Sequence, residues 1–183
     1  MAFKPLLIAG CLAAGLTSPA LAQGCIRPAE RTAVDVRAVQ SQLMVAAIAC
    51  NRTEDYNTFV RRHQAELGAA YNTVAGVFRR AHGAQGQRQY DAYITNLANA
   101  QSQEGIRQGS HFCRDIGPLF QAALAAPNAG AVAALTAQHR IANPMPIAEC
   151  PATQQAAAPA QQRTRTAQAQ PQQQPQQRPT AQR

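Results

Sequence analysis

Apolar residues recur at helical spacing through most of the chain between residues 25 and 150, and no stretch alternates apolar and polar as a half-buried strand does. The strongest pattern runs over 53–82. Tyr56, Phe59, Val60, His63, Leu67 and Ala70 fall on one stripe, which continues through Tyr71, Val74, Val77 and Phe78. Thr53 suits the N-cap, and Glu54 and Asp55 suit the positive end of the helix dipole. Arg79, Arg80 and His82 suit the negative end, where Gly83 can close the helix. This long helix is predicted as the spine of the domain.

An earlier helix is predicted over 29–49, with Val36, Val39, Leu43 and Ala47 on one face and Met44 and Ile48 beside them. A third, over 87–101, uses Tyr90, Tyr93, Ile94 and Leu97. The stretch 103–126 is helical again through Ile106, Phe112, Cys113, Ile116, Phe120 and Leu124, with Gly105, Gly109 and Gly117-Pro118 expected to divide or kink it. A short last helix starts after Asn128. The pattern predicts an all-α fold, a compact bundle of about five helices.

The two ends of the chain read differently. Residues 1–22 carry one cation at Lys4, an apolar run from Pro5 to Leu16, a breaker at Pro19, and Ala20-Leu21-Ala22 as a small-x-small cleavage signal. They read as a secretory signal peptide cut after Ala22, and the apolar run is short of the ~20 residues a spanning helix needs. Residues 151–183 contain twelve Gln, five Pro, four Arg, no acid and no aliphatic side chain larger than alanine. Such a segment buries too little apolar surface to offset its ordering entropy, so a disordered Gln/Pro/Arg-rich tail is expected. The helical domain is then 23–150.

Cleavage of the signal leaves four cysteines, Cys25, Cys50, Cys113 and Cys150. An exported chain meets an oxidising compartment, and no Cys-x-x-Cys pair points to zinc or thioredoxin chemistry, so two disulfides are expected. Three pairings exist on paper. Cys50 lies at the end of the first helix and Cys113 beside a core phenylalanine, which favours Cys50 with Cys113; Cys25 with Cys150 would then close the ends of the domain. In the loop-entropy model the first bridge stabilises by about 4 kcal/mol, an upper figure because native strain subtracts from it.

"LMVAAIAC", the "DYNTFV" helix start and the later "GSHFC" together resemble a group of uncharacterised exported helical proteins of Gram-negative bacteria. The likeness covers residues 40 to 120. It implies an exported helical domain and carries no activity.

Candidate chemistry is sparse. His63 lies mid-stripe, where a hydrogen-bonded core histidine is the ordinary occupant, and His63 with Glu66 reverses the Glu-x-x-His order of carboxylate-bridged metal bundles. His111 stands two residues before Cys113, but a bridged cysteine is no nucleophile. No nucleophile elbow, His-Glu-x-x-His pair, phosphate-binding glycine loop or haem-attachment motif occurs. Glu66, Asp91, Glu104 and Asp115 are scattered singly, so a carboxylate pair for glycoside cleavage would have to form in space. No cofactor and no metal ligand set is expected.

The polar side of the 53–82 helix is more informative. Arg61 and Arg79 are eighteen residues apart, as are Arg62 and Arg80, so in a straight helix each pair points one way about 27 Å apart. Gly68, Asn72 and Gly76 lie between them. Glycine inside a helix costs about 1 kcal/mol against alanine, which calls for close approach by something. Another helix of the same bundle is the favoured neighbour, with a partner or second copy behind it. Residues 23–150 hold twelve Arg against nine Asp and Glu, and the tail's four Arg bring the mature chain to +7. Weak, salt-sensitive contact with anionic cell-envelope polymers follows from that charge, whereas nucleic acid is not expected in that compartment. The sequence therefore reads as an exported non-catalytic binding or envelope-associated protein in the periplasm or medium. A small periplasmic hydrolase using a carboxylate pair in a groove is the second reading.

Overall fold

The computed structural model describes residues 24–151. The signal-peptide reading and all but the first residue of the Gln/Pro/Arg-rich tail lie outside the described residues. Among the described residues the structure is all-α, and the one β-type contact is a parallel bridge between Ile26 and Glu149. The helices are α1 (Pro28–Ala49), α2 (Thr53–Arg62), α3 (Gln64–His82), α4 (Gly86–Gln108), α5 (Phe112–Asp115), α6 (Gly117–Ala125) and α7 (Ala129–Gln138). No helix among the described residues is long and apolar enough to cross a membrane.

The centre of the bundle is α1, and the expected spine over 53–82 is displaced from that role. α7, α3, α4 and α2 all pack against α1. Val34, Val36, Ala38, Val39, Leu43 and Ala46 are buried, and these positions surround the helix instead of forming one stripe. Pro28 starts it with no donor to lose, and the Glu30 carboxylate accepts from the Arg27 N–H at 3.0 Å. At the other end Asn51 adopts φ 54°, and the Arg52 N–H reaches back to the Ala47 carbonyl at 2.9 Å. That is the Schellman closure, in which asparagine tolerates the left-handed conformation better than most residues.

The 53–82 helix is two helices separated at His63, whose backbone leaves helical geometry at φ −107° and ψ 23°. Thr53 is the first residue of α2 and caps nothing; Arg52 precedes it, with its guanidinium 4.4 Å from the centre of the Phe120 ring. The third predicted helix runs on into the fourth; the expected divisions at Gly109 and Gly117-Pro118 form, and the one at Gly105 does not. α4 runs through Gly105, where a Cβ would come within 3.2 Å of the Phe112 ring, so the glycine admits an aromatic neighbour and leaves the helix unbroken. Gly109, at φ 57°, ends it. The last helix begins as expected: the Asn128 side chain accepts from the Ala131 N–H at 3.0 Å.

Both disulfides pair as the helix positions favour. Cys50 bonds Cys113, with Cα atoms 5.4 Å apart, and ties the α1 terminus to α5. Cys25 bonds Cys150, with Cα atoms 4.9 Å apart, and closes the domain. Beside it the Ile26 N–H donates to Ala148 and the Cys150 N–H donates to Ile26, at 2.9 and 2.8 Å.

Candidate functional site

The arginine-flanked face on α2 and α3 forms only in part. His63 interrupts the helix, so straight-helix geometry does not relate Arg61 and Arg62 to Arg79 and Arg80. Arg80 belongs to the fold: its guanidinium donates to Glu30 at 2.8 Å and to the Cys25 carbonyl at 3.3 Å, holding the end of α3 against the start of α1. Arg61, Arg62 and Arg79 are exposed, and none forms an ion pair among the described residues. The favoured covering helix is absent from this face. No atom lies within 4 Å of a Cβ built on Gly68, Asn72 is exposed, and only the Arg79 guanidinium approaches Gly76, at 3.7 Å. The reason is the central place of α1, which gathers the other helices around itself and leaves the far side of α3 open.

The histidines do not converge. His63 is buried, and its Nε2 lies 3.1 Å from the Ala123 carbonyl, one of the last four of α6, which have no partner within their own helix. His111 is exposed in the turn between α4 and α5. Among the described residues no three His, Cys, Asp or Glu side chains gather as a metal site requires. Three apolar side chains expected on or beside buried faces are instead exposed, Ile48 by 75%, Ile106 by 68% and Tyr71 by 42%.

Sequence reasoning missed a cleft of about 240 Å³ that five separate segments build. Its lining includes Glu104 and Gln108 of α4, Asp115 of α5, and a wall after α7 made of His139, Arg140 and Ile141. Phe112, Ile116 and Leu119 supply apolar lining, and Gln42 of α1 reaches the cleft from the core. The wall after α7 is fixed by Gln101, whose buried amide donates to Ala38 at 3.0 Å and Ala142 at 3.1 Å. α7 itself closes like α1: Ile141 N–H bonds Thr136 at 2.9 Å and Arg140 N–H bonds Ala137 at 3.3 Å. Arg140 therefore stands at φ 49°, where glycine is the usual occupant.

The two carboxylates of the cleft are held ionised. The Gln108 amide and the Arg107 guanidinium both donate to Glu104 and lower its pKa. Arg114 does the same for Asp115, with Nε 2.7 Å from Oδ1, and His111 adds to the effect. Arg140 and His139 form no ion pair among the described residues. The cleft is thus lined by two carboxylates already paired with arginines of their own segments, by the Arg140 guanidinium and by apolar side chains.

No protein-family model matches the chain, and no curated protein and no solved structure matches it.

Proposed function

We propose that this chain is an exported, non-catalytic binding protein of the Gram-negative envelope, released after Ala22 and held to anionic envelope polymers by its surplus arginines. The observation that carries the reading is the open face on α2 and α3, where Arg61, Arg62 and Arg79 have no carboxylate partner among the described residues, beside Gly68 and Asn72. Six of the nine Asp and Glu side chains form ion pairs with other arginines, and none pairs with Arg61, Arg62 or Arg79 among the described residues. Two disulfides suit an oxidising compartment. The four arginines of 151–183 add to the same attraction.

Sedimentation of the mature chain with isolated Gram-negative envelopes tests this. Binding at low ionic strength should disappear near 0.5 M salt, where the Debye length falls to roughly 4 Å. Arg61→Gln, Arg62→Gln and Arg79→Gln together should weaken it at unchanged stability. Retention that ignores both salt and these substitutions rules the reading out.

The hydrolase reading has one observation in its favour, the presence of Glu104 and Asp115 in one cleft. Glycoside cleavage needs one carboxyl that keeps its proton near neutral pH. Here both pKa values are lowered, which suits holding a ligand better than protonating one.

A further inference from the structure

The two disulfides differ in what surrounds them. Cys25–Cys150 is braced by the backbone on both sides: the Ile26 N–H donates to Ala148, the Cys150 N–H donates to Ile26, and the Arg80 guanidinium donates to the Cys25 carbonyl. Cys150 is only 8% exposed. Cys50–Cys113 lies nearer to solvent, with Cys113 exposed and Cys50 half-buried, and the Cys113 Sγ is 3.8 Å from the Ala49 carbonyl at the end of α1. Cys113 also lines a hollow of about 260 Å³ together with Val45 and Ala49 of α1 and Gly105 and Ile106 of α4. A thiol-bearing molecule therefore has room beside this bridge.

Access decides which bridge exchanges, because the attacking thiolate must reach a sulfur, and exposed bridges are the labile ones. The element that carries Cys113 is also short. α5 has four residues, follows a turn that Gly109 opens at φ 57°, and packs chiefly on α4 and α6, so the bridge is its covalent tie to α1. We infer that Cys50–Cys113 is a site of thiol–disulfide exchange with an external dithiol, attacked at the exposed Cys113 sulfur, and that its opening loosens α5 while Cys25–Cys150 persists as the structural bridge. A thiolate of the dithiol bonds the Cys113 sulfur as the bond to Cys50 breaks, and Cys50 leaves as a thiolate. The second thiolate of the donor then attacks its own sulfur in the mixed disulfide and releases Cys113. The donor is oxidised to a disulfide by two electrons, and its two protons pass through solvent to Cys50 and Cys113. The site is separate from the α2–α3 face and does not depend on envelope attachment.

Timed treatment of the mature chain with dithiothreitol under native conditions, followed by iodoacetamide and peptide mapping, tests the inference. Cys50 and Cys113 should become labelled about tenfold faster than Cys25 and Cys150, with the helical circular dichroism retained. Brief exposure to glutathione and an acid quench should trap the mixed disulfide on Cys113. Amide hydrogen exchange over residues 109–116 should quicken in the labelled chain, while the buried amides of α1 stay protected. The inference is overturned if the two bridges open at the same rate, if Cys25–Cys150 opens first, or if Cys50 and Cys113 are labelled only as the helical signal is lost. Glutathione found on Cys50 overturns the assigned point of attack, and unchanged exchange over 109–116 overturns the loosening of α5.

Discussion

His63 donates through Nε2 to the Ala123 carbonyl, 3.1 Å away and sixty residues along the chain. The contact joins the α2–α3 junction to the end of α6 and explains why a polar ring occupies the core beside Phe59, 5.0 Å between ring centres. It also fixes the tautomer, since a carbonyl accepts and Nε2 must carry the hydrogen. His63→Ala should cost about 2–4 kcal/mol, combining a cavity with an orphaned helix-end carbonyl. His63→Phe refills the volume but supplies no donor, so about 1–2 kcal/mol should still be lost. Denaturant midpoints of the two variants separate the contributions. Equal stability of His63→Phe and the parent would mean that the hydrogen bond contributes nothing.

Tyr93 makes the domain sensitive to alkali. Its hydroxyl donates to Asn143 at 2.9 Å, and burial raises its pKa well above the ordinary tyrosine value; burial raises Tyr90 as well. A group whose folded pKa is raised contributes stability that is complete below the unfolded pKa, about 10 for tyrosine, and is lost as pH climbs toward the folded value. Stability should be insensitive to these residues from neutral pH to about 9 and then decline by up to about 1.4 kcal/mol per pH unit for each tyrosine. Tyr93→Phe should lower stability near pH 7 by about 1 kcal/mol, the hydrogen bond lost, and flatten the alkaline decline. Urea melts at stepped pH read both effects. A decline of the same slope in Tyr93→Phe would assign the sensitivity elsewhere.

The legible parts of this fold were those that local chemistry decides. Asn128 is a cap because its own side chain reaches Ala131, and the cysteine pairing followed from where helix ends and a core phenylalanine placed Cys50 and Cys113. The break at His63 was not legible. Nothing within "FVRRHQAEL" disfavours a helix; the ring departs because a carbonyl from α6 is available to it, which is a tertiary fact. The choice of spine failed for a related reason. A single apolar stripe marks the 53–82 segment, but a helix surrounded by neighbours shows no single stripe, so the pattern does not single out α1 although it is the most enclosed. The cleft left the weakest trace of all. Glu104, Asp115 and Arg140 are ordinary surface residues in one dimension, and the one local sign was an arginine, where a glycine is usual, just past the end of α7.

The open side of α3 bears on whether this surface is covered by another molecule. Gly68 lies inside a 19-residue helix with nothing within 4 Å of its missing Cβ, so in the isolated chain it gains nothing from being glycine. Gly68→Ala should therefore stabilise by about 0.5–1 kcal/mol through reduced backbone entropy in the unfolded state. For a domain of this size that raises the melting temperature by roughly 2–5 °C. Gly68→Leu should do nearly as well, because exposed leucine is also a strong helix former. The two variants separate when something approaches α3 closely, since alanine fits under a neighbouring backbone that leucine displaces. Melting and light scattering of the parent and both variants, alone and with envelopes, distinguish the cases. Equal stabilisation with unchanged mass and unchanged envelope binding means that the face is solvated; lost binding in Gly68→Leu with the domain still folded places the contact on α3.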